Sequence, residues 1–237
     1  MYRLVCANIF TAVFFIMRTA PHLLGLAEAR AALLSGRLVV FPTETLYALG
    51  CDALNPEAVA AVFLLKQRSP SMPLPLVAAS YEQATQVAYR PPAAALALIE
   101  RFWPGPLSLL LPARPCLPDL LCAHTRRVAV RQSPHPAALA LCTALGRPVV
   151  ATSANKSGAP AVHRQEDLDP DILSGVAGIY AEEPEPAGGA PSSLVELSEN
   201  RGRALVRLLR SGAISAEEIR AAGFDLSEKI YKSPVKT

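Results

Sequence analysis

The 237-residue chain is 51% hydrophobic and 18% charged, enough apolar material to bury one sizeable core, and large-sheet folds of this length can form a single domain. A net charge of +3 does not by itself mark a nucleic-acid binder, although a local basic patch could still matter. Five cysteines without a C-x-x-C pair, and only four histidines, argue against a disulfide framework or a zinc site and fit a reducing cytoplasm.

Aromatics make up only 6%, so Ala, Leu and Val must build the core, and 22 prolines predict a sheet protein with shaped loops rather than a helical bundle. Leu4 to Met17 reads LVCANIFTAVFFIM between Arg3 and Arg18, which is shorter than the roughly 20 apolar residues of a membrane span. Residues 1–17 are read as an N-terminal apolar extension with no stable membrane insertion. Residues 18–225 form the domain, and 226–237 a polar tail.

Helical spacing runs from Leu23 to Leu34 and stops at Ser35-Gly36. Arg37 to Phe41 reads as a buried strand ended by Pro42. Asn55 and Pro56 open a helix to about Leu65 as N-cap and first-turn proline. Leu74–Ala79 is a strand, Ala93–Phe102 a helix, Leu107–Leu111 and Val128–Arg131 strands. Pro136–Leu145 is a helix closed by Gly146, and Val149–Thr152 another strand. Asn155 to Gly189 is loop with a little helix, Ser193–Leu197 and Ala204–Leu209 are strands across a polar turn, and Ser215 starts a last helix with a capping-box pattern. Alternating strands and helices without a dividing linker give the fold class: one α/β domain, a twisted mixed and antiparallel sheet flanked by helices.

No Walker-A, G-x-G-x-x-G, G-x-S-x-G or H-E-x-x-H pattern occurs. What remains is polar residues placed where apolar strands stop, the usual ligand position of open α/β sheets. Phe41-Pro-Thr-Glu-Thr-Leu-Tyr-Ala-Leu-Gly50 offers two hydroxyls, an acid and a phenol; its threonines could equally satisfy their own backbone. Lys66-Gln-Arg68 places two cations at a helix C-terminus, where the dipole favours them and a polyphosphate could bind. Strand alternation puts Arg127, Ala129 and Arg131 on one face, and an arginine ending an apolar strand suits a carboxylate or phosphate. Thr152-Ser-Ala-Asn155-Lys-Ser-Gly158 is a run of small polar groups that also reads as an ordinary loop.

In order, PTETLYALG, KQR, WPGPLSLLL, VAVRQSPHP, ATSANKSG, SSLVEL and LLRSGAIS resemble the YrdC-like threonylcarbamoyl-AMP synthase family in its short, single-domain branch, over roughly Leu23 to Ile219. The resemblance implies a YrdC-like fold and an enzyme that condenses L-threonine, bicarbonate and ATP to threonylcarbamoyl adenylate, releasing pyrophosphate, for N6-threonylcarbamoyladenosine in tRNA. It places Lys66, Arg68, Asn155, Arg210, Arg127 and His163 on ATP, and Thr45, Arg131, Ser153 and Ser192 on threonine. It assigns no acid, base or nucleophile. Mg2+ comes with ATP rather than from protein ligands, and separate transferase proteins act on the tRNA.

Three positions depart from the family pattern: Ala48 where glycine is usual, Met72 where relatives carry Lys or Asn, and Ser193-Leu194 for Thr-Val. Met72 and Ala48 keep open a degenerate nucleotide-binding protein. A non-catalytic RNA-binding module, or a weak RNA affinity beside the enzyme activity, is the reading from another class, which salt-sensitive RNA binding without turnover would favour. A carbamoyl-adenylate enzyme would carry cysteine-rich modules that this sequence lacks.

Overall fold

The computed structural model describes residues 22–91, 93–200 and 203–227. The N-terminal extension and the tail beyond Ser227 lie outside the described residues.

Helix α1 (Leu26–Leu34) precedes an antiparallel pair, β1 (Val39–Pro42) and β2 (Tyr47–Gly50). The sequence offers Phe41 to Gly50 as polar groups at the end of a strand and names no second strand there, yet its last four residues are β2. Apolar residues occupy both faces, so the alternation that marks a half-buried strand is missing. Helix α2 (Pro56–Lys66) starts as expected, with the Asn55 side chain accepting from Ala58 N–H, and ends at Gln67 in the left-handed conformation, φ 51°. Strand β3 (Leu76–Ala78), the short helix α3 (Tyr81–Ala84) and helix α4 (Ala93–Phe102) follow.

The second half continues with β4 (Leu107–Pro112), β5 (Arg127–Gln132), α5 (Pro136–Leu145), β6 (Val149–Val150) and β7 (Thr152–Ser153). A 3-10 turn at Gln165–Asp167 and α6 (Pro170–Ser174) are the little helix of the long connector. Strands β8 (Ser193–Asn200) and β9 (Arg203–Arg210), helix α7 (Ala216–Ala221) and β10 (Asp225–Leu226) complete the order.

The strands form two sheets rather than one. β1-β2-β7 is antiparallel, and β10-β9-β8-β4-β5-β3-β6 is mixed. The expected single strand from Val149 to Thr152 splits between them: Val149 and Val150 pair with β3, Thr152 and Ser153 with β2. Gly50 permits this junction, because a methyl group there would sit 2.5 Å from the Phe41 ring and 2.6 Å from the Val150 carbonyl.

Leu107, Leu109, Val128, Val130, Val195 and Val206 of the large sheet are buried in one cluster with Val59, Val62, Phe63, Leu98 and Ile219 of α2, α4 and α7. Strand alternation then assigns Ser108, Ala129, Arg131, Glu196 and Arg207 to the opposite face. A second cluster joins α1 and α5 to β1 through Ala29, Leu33, Phe41, Ala138 and Leu141. The first cluster covers one face of the sheet; on the other, Val77 and Val149 at the β3–β6 edge pack into the second cluster, and the charges lie toward β5, β8 and β9.

Candidate active site

Five segments meet at this polar face. The first is the turn between β1 and β2. Thr43 closes it, its hydroxyl donating to Leu46 C=O at 2.7 Å and accepting from Leu46 N–H at 3.3 Å. Thr43 therefore satisfies its own backbone, as one reading of the sequence allowed. Thr45, buried, has only the Thr43 hydroxyl at 3.4 Å, which leaves its hydroxyl able to serve a ligand. Glu44 accepts from the Ser133 hydroxyl at 2.5 Å and stands 3.4 Å from Arg131 Nη1.

The second segment is the end of α2. Lys66 is buried and donates to three acceptors of the Ser153–Asn155 loop: the carbonyls of Ser153 and Asn155 and, at 3.3 Å, Asn155 Oδ1. An ammonium has three donors, so all are engaged. Arg68 is held by the carbonyls of Met72 at 3.0 Å and Pro73 at 2.9 Å. Met72 thus serves through its backbone, while its side chain is exposed.

Ser153 and Asn155 form the third segment. The Ser153 hydroxyl donates to Asn155 Oδ1 at 2.5 Å, and Asn155 Nδ2 donates to Ala159 C=O. Arg131, on β5, is the fourth and is buried. The fifth joins Ser192 to Arg210. Arg210 Nη2 donates to the Ser192 carbonyl at 2.8 Å and its hydroxyl at 3.1 Å, and Ser192 meets the Ser108 hydroxyl at 3.0 Å. Gly212 makes this clasp possible, since a methyl group there would run into Pro191 and Ser192. A bulge in the β8–β9 pairing leaves Leu209 without an opposite residue and sets Arg210 across from Leu194.

The charges interact in a row. Burial, reinforced by Arg68, pushes the Lys66 ammonium down to about 8. Burial and then Arg210 lower Arg68, and burial and then Arg131 lower Arg210. Arg131 is itself lowered by burial, against which Glu44 acts. Among the described residues one carboxylate, Glu44, ion-pairs with the row of four cations, at Arg131. Such a row is costly to hold without bound anions and favours a ligand of several negative charges.

Two of the sequence-predicted residues stand apart from this row. Arg127, four residues down β5 from Arg131, is ion-paired with Glu196, which also pairs with Arg207. His163 is exposed, its ring beside Gly188, whose N–H donates to the Thr45 carbonyl at 2.9 Å. Sequence reading gave no role to Ser108, Ser133 or Glu196. Ser108 and Glu196 carried a signal, each a lone polar residue between apolar neighbours of a strand.

Of the departures, Ala48 is a buried strand residue opposite Phe41 and Ser153, packed in the core with α1 and α5, so its methyl group has a place. A cavity of about 220 Å3 borders Glu44, between His135, Pro184 and Glu185. Cys51, Cys116, Cys122 and Cys142 are free thiols, and no helix among the described residues is long and apolar enough to cross a membrane.

A family model named Sua5_yciO_yrdC, described as telomere recombination, matches residues 31–212. The chain is 37% identical over 198 residues to the threonylcarbamoyl-AMP synthase of Bacillus subtilis strain 168, covering 83% of this chain and 56% of the relative. It is 38% identical to a putative threonylcarbamoyl-AMP synthase of Mycobacterium leprae, covering 82% of this chain and 86% of that one. The crystal structure of Pyrococcus abyssi Sua5 complexed with L-threonine superposes with a TM-score of 0.78 at 34% identity, covering 90% of this chain and 63% of that one. The chain therefore spans little more than half the length of the Bacillus relative.

Proposed function

Since the chain belongs to the Sua5/YciO/YrdC family, we propose that it is a threonylcarbamoyl-AMP synthase, a nucleotidyltransferase using ATP, L-threonine and bicarbonate. The observation that carries this reading is the row Lys66, Arg68, Arg210 and Arg131, mutually repelling, set among hydroxyls and ion-paired among the described residues at Arg131 alone, with Glu44.

Threonine amine and bicarbonate give a carbamate and water. A carbamate oxygen then attacks the α-phosphorus, the bond to the bridging oxygen breaks, and pyrophosphate leaves. This displacement chiefly needs alignment and charge neutralisation, and the residue inventory supplies both. Arg68 and Arg210 hold phosphate oxygens. Lys66 adds positive charge and fixes the loop that presents Ser153 and Asn155. Arg131 takes the threonine carboxylate through its planar fork, with Thr45, Ser153 and Ser192 around the rest of the amino acid. Arg127 and His163 serve the nucleoside end of ATP. Magnesium arrives with ATP as part of the substrate, held by phosphate oxygens and water.

The labile adenylate would pass to separate transferase proteins acting on tRNA. The four free thiols suit a reducing cytoplasm. The test is pyrophosphate release with ATP, magnesium and bicarbonate, with and without threonine. Release that requires threonine and is lost in Lys66→Ala and Arg131→Ala supports the synthase, and folded protein that binds ATP without release rejects it.

A further inference from the structure

The cations of the site are unequally balanced. Among the described residues Lys66, Arg68 and Arg210 have no salt-bridge partner, whereas Arg131 faces Glu44 at 3.4 Å. Glu44 is not a loose counter-ion. Ser133 donates to its Oε2 at 2.5 Å, Ala187 N–H donates to its carbonyl at 3.2 Å, and Thr43 closes the turn that carries it. Ser133 is itself buried, so the carboxylate is held from behind.

Arg131 is only partly engaged by this partner. Its Nη1 and Glu44 Oε1 are both buried and lack a hydrogen bond, so their approach is electrostatic rather than directional. Nε and Nη2 of Arg131 donate to nothing among the described residues and remain available to a ligand. The row therefore has two unlike ends. At Arg68 and Arg210 the positive charge is uncompensated. At Arg131 a fixed Arg–Glu pair sums to zero while still offering N–H donors.

A phosphate chain brings several negative charges and would be repelled by Glu44. An amino acid brings one carboxylate and a compensating ammonium, and suits the neutral end. We infer that Glu44 sorts the two anionic ligands, reserving Arg131 for the amino-acid carboxylate and confining the polyphosphate to Arg68 and Arg210. The identity of the two ligands rests on the synthase reading. Glu44 acts here as a specificity and positioning residue, and no proton transfer is assigned to it.

The experiment is calorimetric titration of the full chain with threonine and with inorganic tripolyphosphate, each alone and in the presence of the other. In the wild type each ligand binds within about twofold of its own affinity when the other is present, since sites without shared partners perturb one another by no more than about that. Glu44→Gln keeps the acceptor for Ser133 but removes the charge. Tripolyphosphate then binds about tenfold tighter and displaces threonine, as expected for losing one charge beside a buried arginine. Glu44→Asp keeps the charge and stays within about threefold of wild type.

Independent binding of both ligands to Glu44→Gln, at wild-type affinities, overturns the inference. If the wild type binds no threonine, the synthase reading fails, and the tripolyphosphate arm still decides: unchanged affinity in Glu44→Gln removes the role of Glu44. Should that variant not fold, Glu44→Ala carries the test, because it removes the same charge without leaving an amide to be paired. Competition then upholds the inference, and wild-type behaviour overturns it.

Discussion

Two basic clusters draw residues from β5 and β9 of the large sheet, and they differ in how their charge is balanced. Arg127 and Arg207 share Glu196, one on each carboxylate oxygen, and Arg127 also donates to the Leu110 carbonyl at 3.2 Å. Among the described residues Lys66, Arg68, Arg210 and Arg131 share only Glu44, and that at one end. Both clusters are arginine-rich, so a count of basic residues cannot tell them apart. In the triad one glutamate engages both arginines and leaves a single positive charge, whereas the row sets four cations against one carboxylate and leaves three for an anionic ligand to balance. Imbalance, rather than charge, marks the candidate site.

The largest effect should come from breaking the row at Arg131. Arg131→Ala removes the buried partner of both Glu44 and the proposed carboxylate, and kcat/KM for threonine should fall about a hundredfold or more, as losing a buried charge partner typically does. The matched change in the triad, Arg127→Ala, should leave the KM for threonine within about twofold while raising that for ATP. Equal losses of threonine affinity in the two variants would erase the distinction between the clusters.

Next in size is the pH response of the row. Lys66, ordinarily near 10.5, is pushed down to about 8 by burial and then by Arg68. Between those values the unfolded chain still holds the proton that the folded protein has released. Stability should therefore rise with pH across that window, and the penalty of the buried charge is fully present below it. Activity should run the other way. The free-enzyme kcat/KM for ATP should decline above about pH 8 as the ammonium is lost, and Lys66→Arg, which stays charged, should lack that limb. A wild-type profile flat from pH 7 to 10 would mean that Lys66 keeps its proton throughout, by way of its three acceptors.

The triad sharpens the comparison from the other side. Glu196→Ala leaves two half-exposed arginines facing each other without their shared acceptor, which should cost about 1–3 kcal/mol in thermal or denaturant unfolding. The KM for threonine should not change. Loss of threonine binding without loss of stability would place the triad at the amino-acid end of the site and undo the contrast.

Much of this was legible in the sequence, for identifiable reasons. Helix α2 was readable because Asn55 and Pro56 are local signals that need no tertiary context. Strand β2 was not, because Tyr47, Ala48, Leu49 and Gly50 are all buried and show no alternation. The split of Val149–Ser153 between two sheets depends on partners about 75 and 105 residues away in the chain, a separation that no local pattern encodes. Within the site, the residue types and their strand-end positions were visible, including Arg127 and Arg131 on one face. What was hidden was the pairing: that Glu196 engages Arg127, that Met72 acts through its carbonyl, and that Glu44 stands at only one end of the row. Pairing is a property of three-dimensional proximity, and the sequence lists only the candidates.

Met72 yields the smallest expected effect and the sharpest use of that last point. Its place in the sequence, where the family resemblance implies a polar side chain, suggests a weakened nucleotide site. Yet the Met72 side chain is 43% exposed, and its contribution to the row is the carbonyl that receives Arg68 Nε at 3.0 Å. Any residue that keeps the turn from Ser69 to Pro73 would present that carbonyl equally well. Met72→Lys should therefore change kcat and the KM for ATP by no more than about twofold, the usual range for an exposed substitution that removes no contact. A tenfold gain in ATP affinity would instead show that an added side-chain cation extends the row beyond Arg68, and that the uncompensated end of the site is incomplete as it stands.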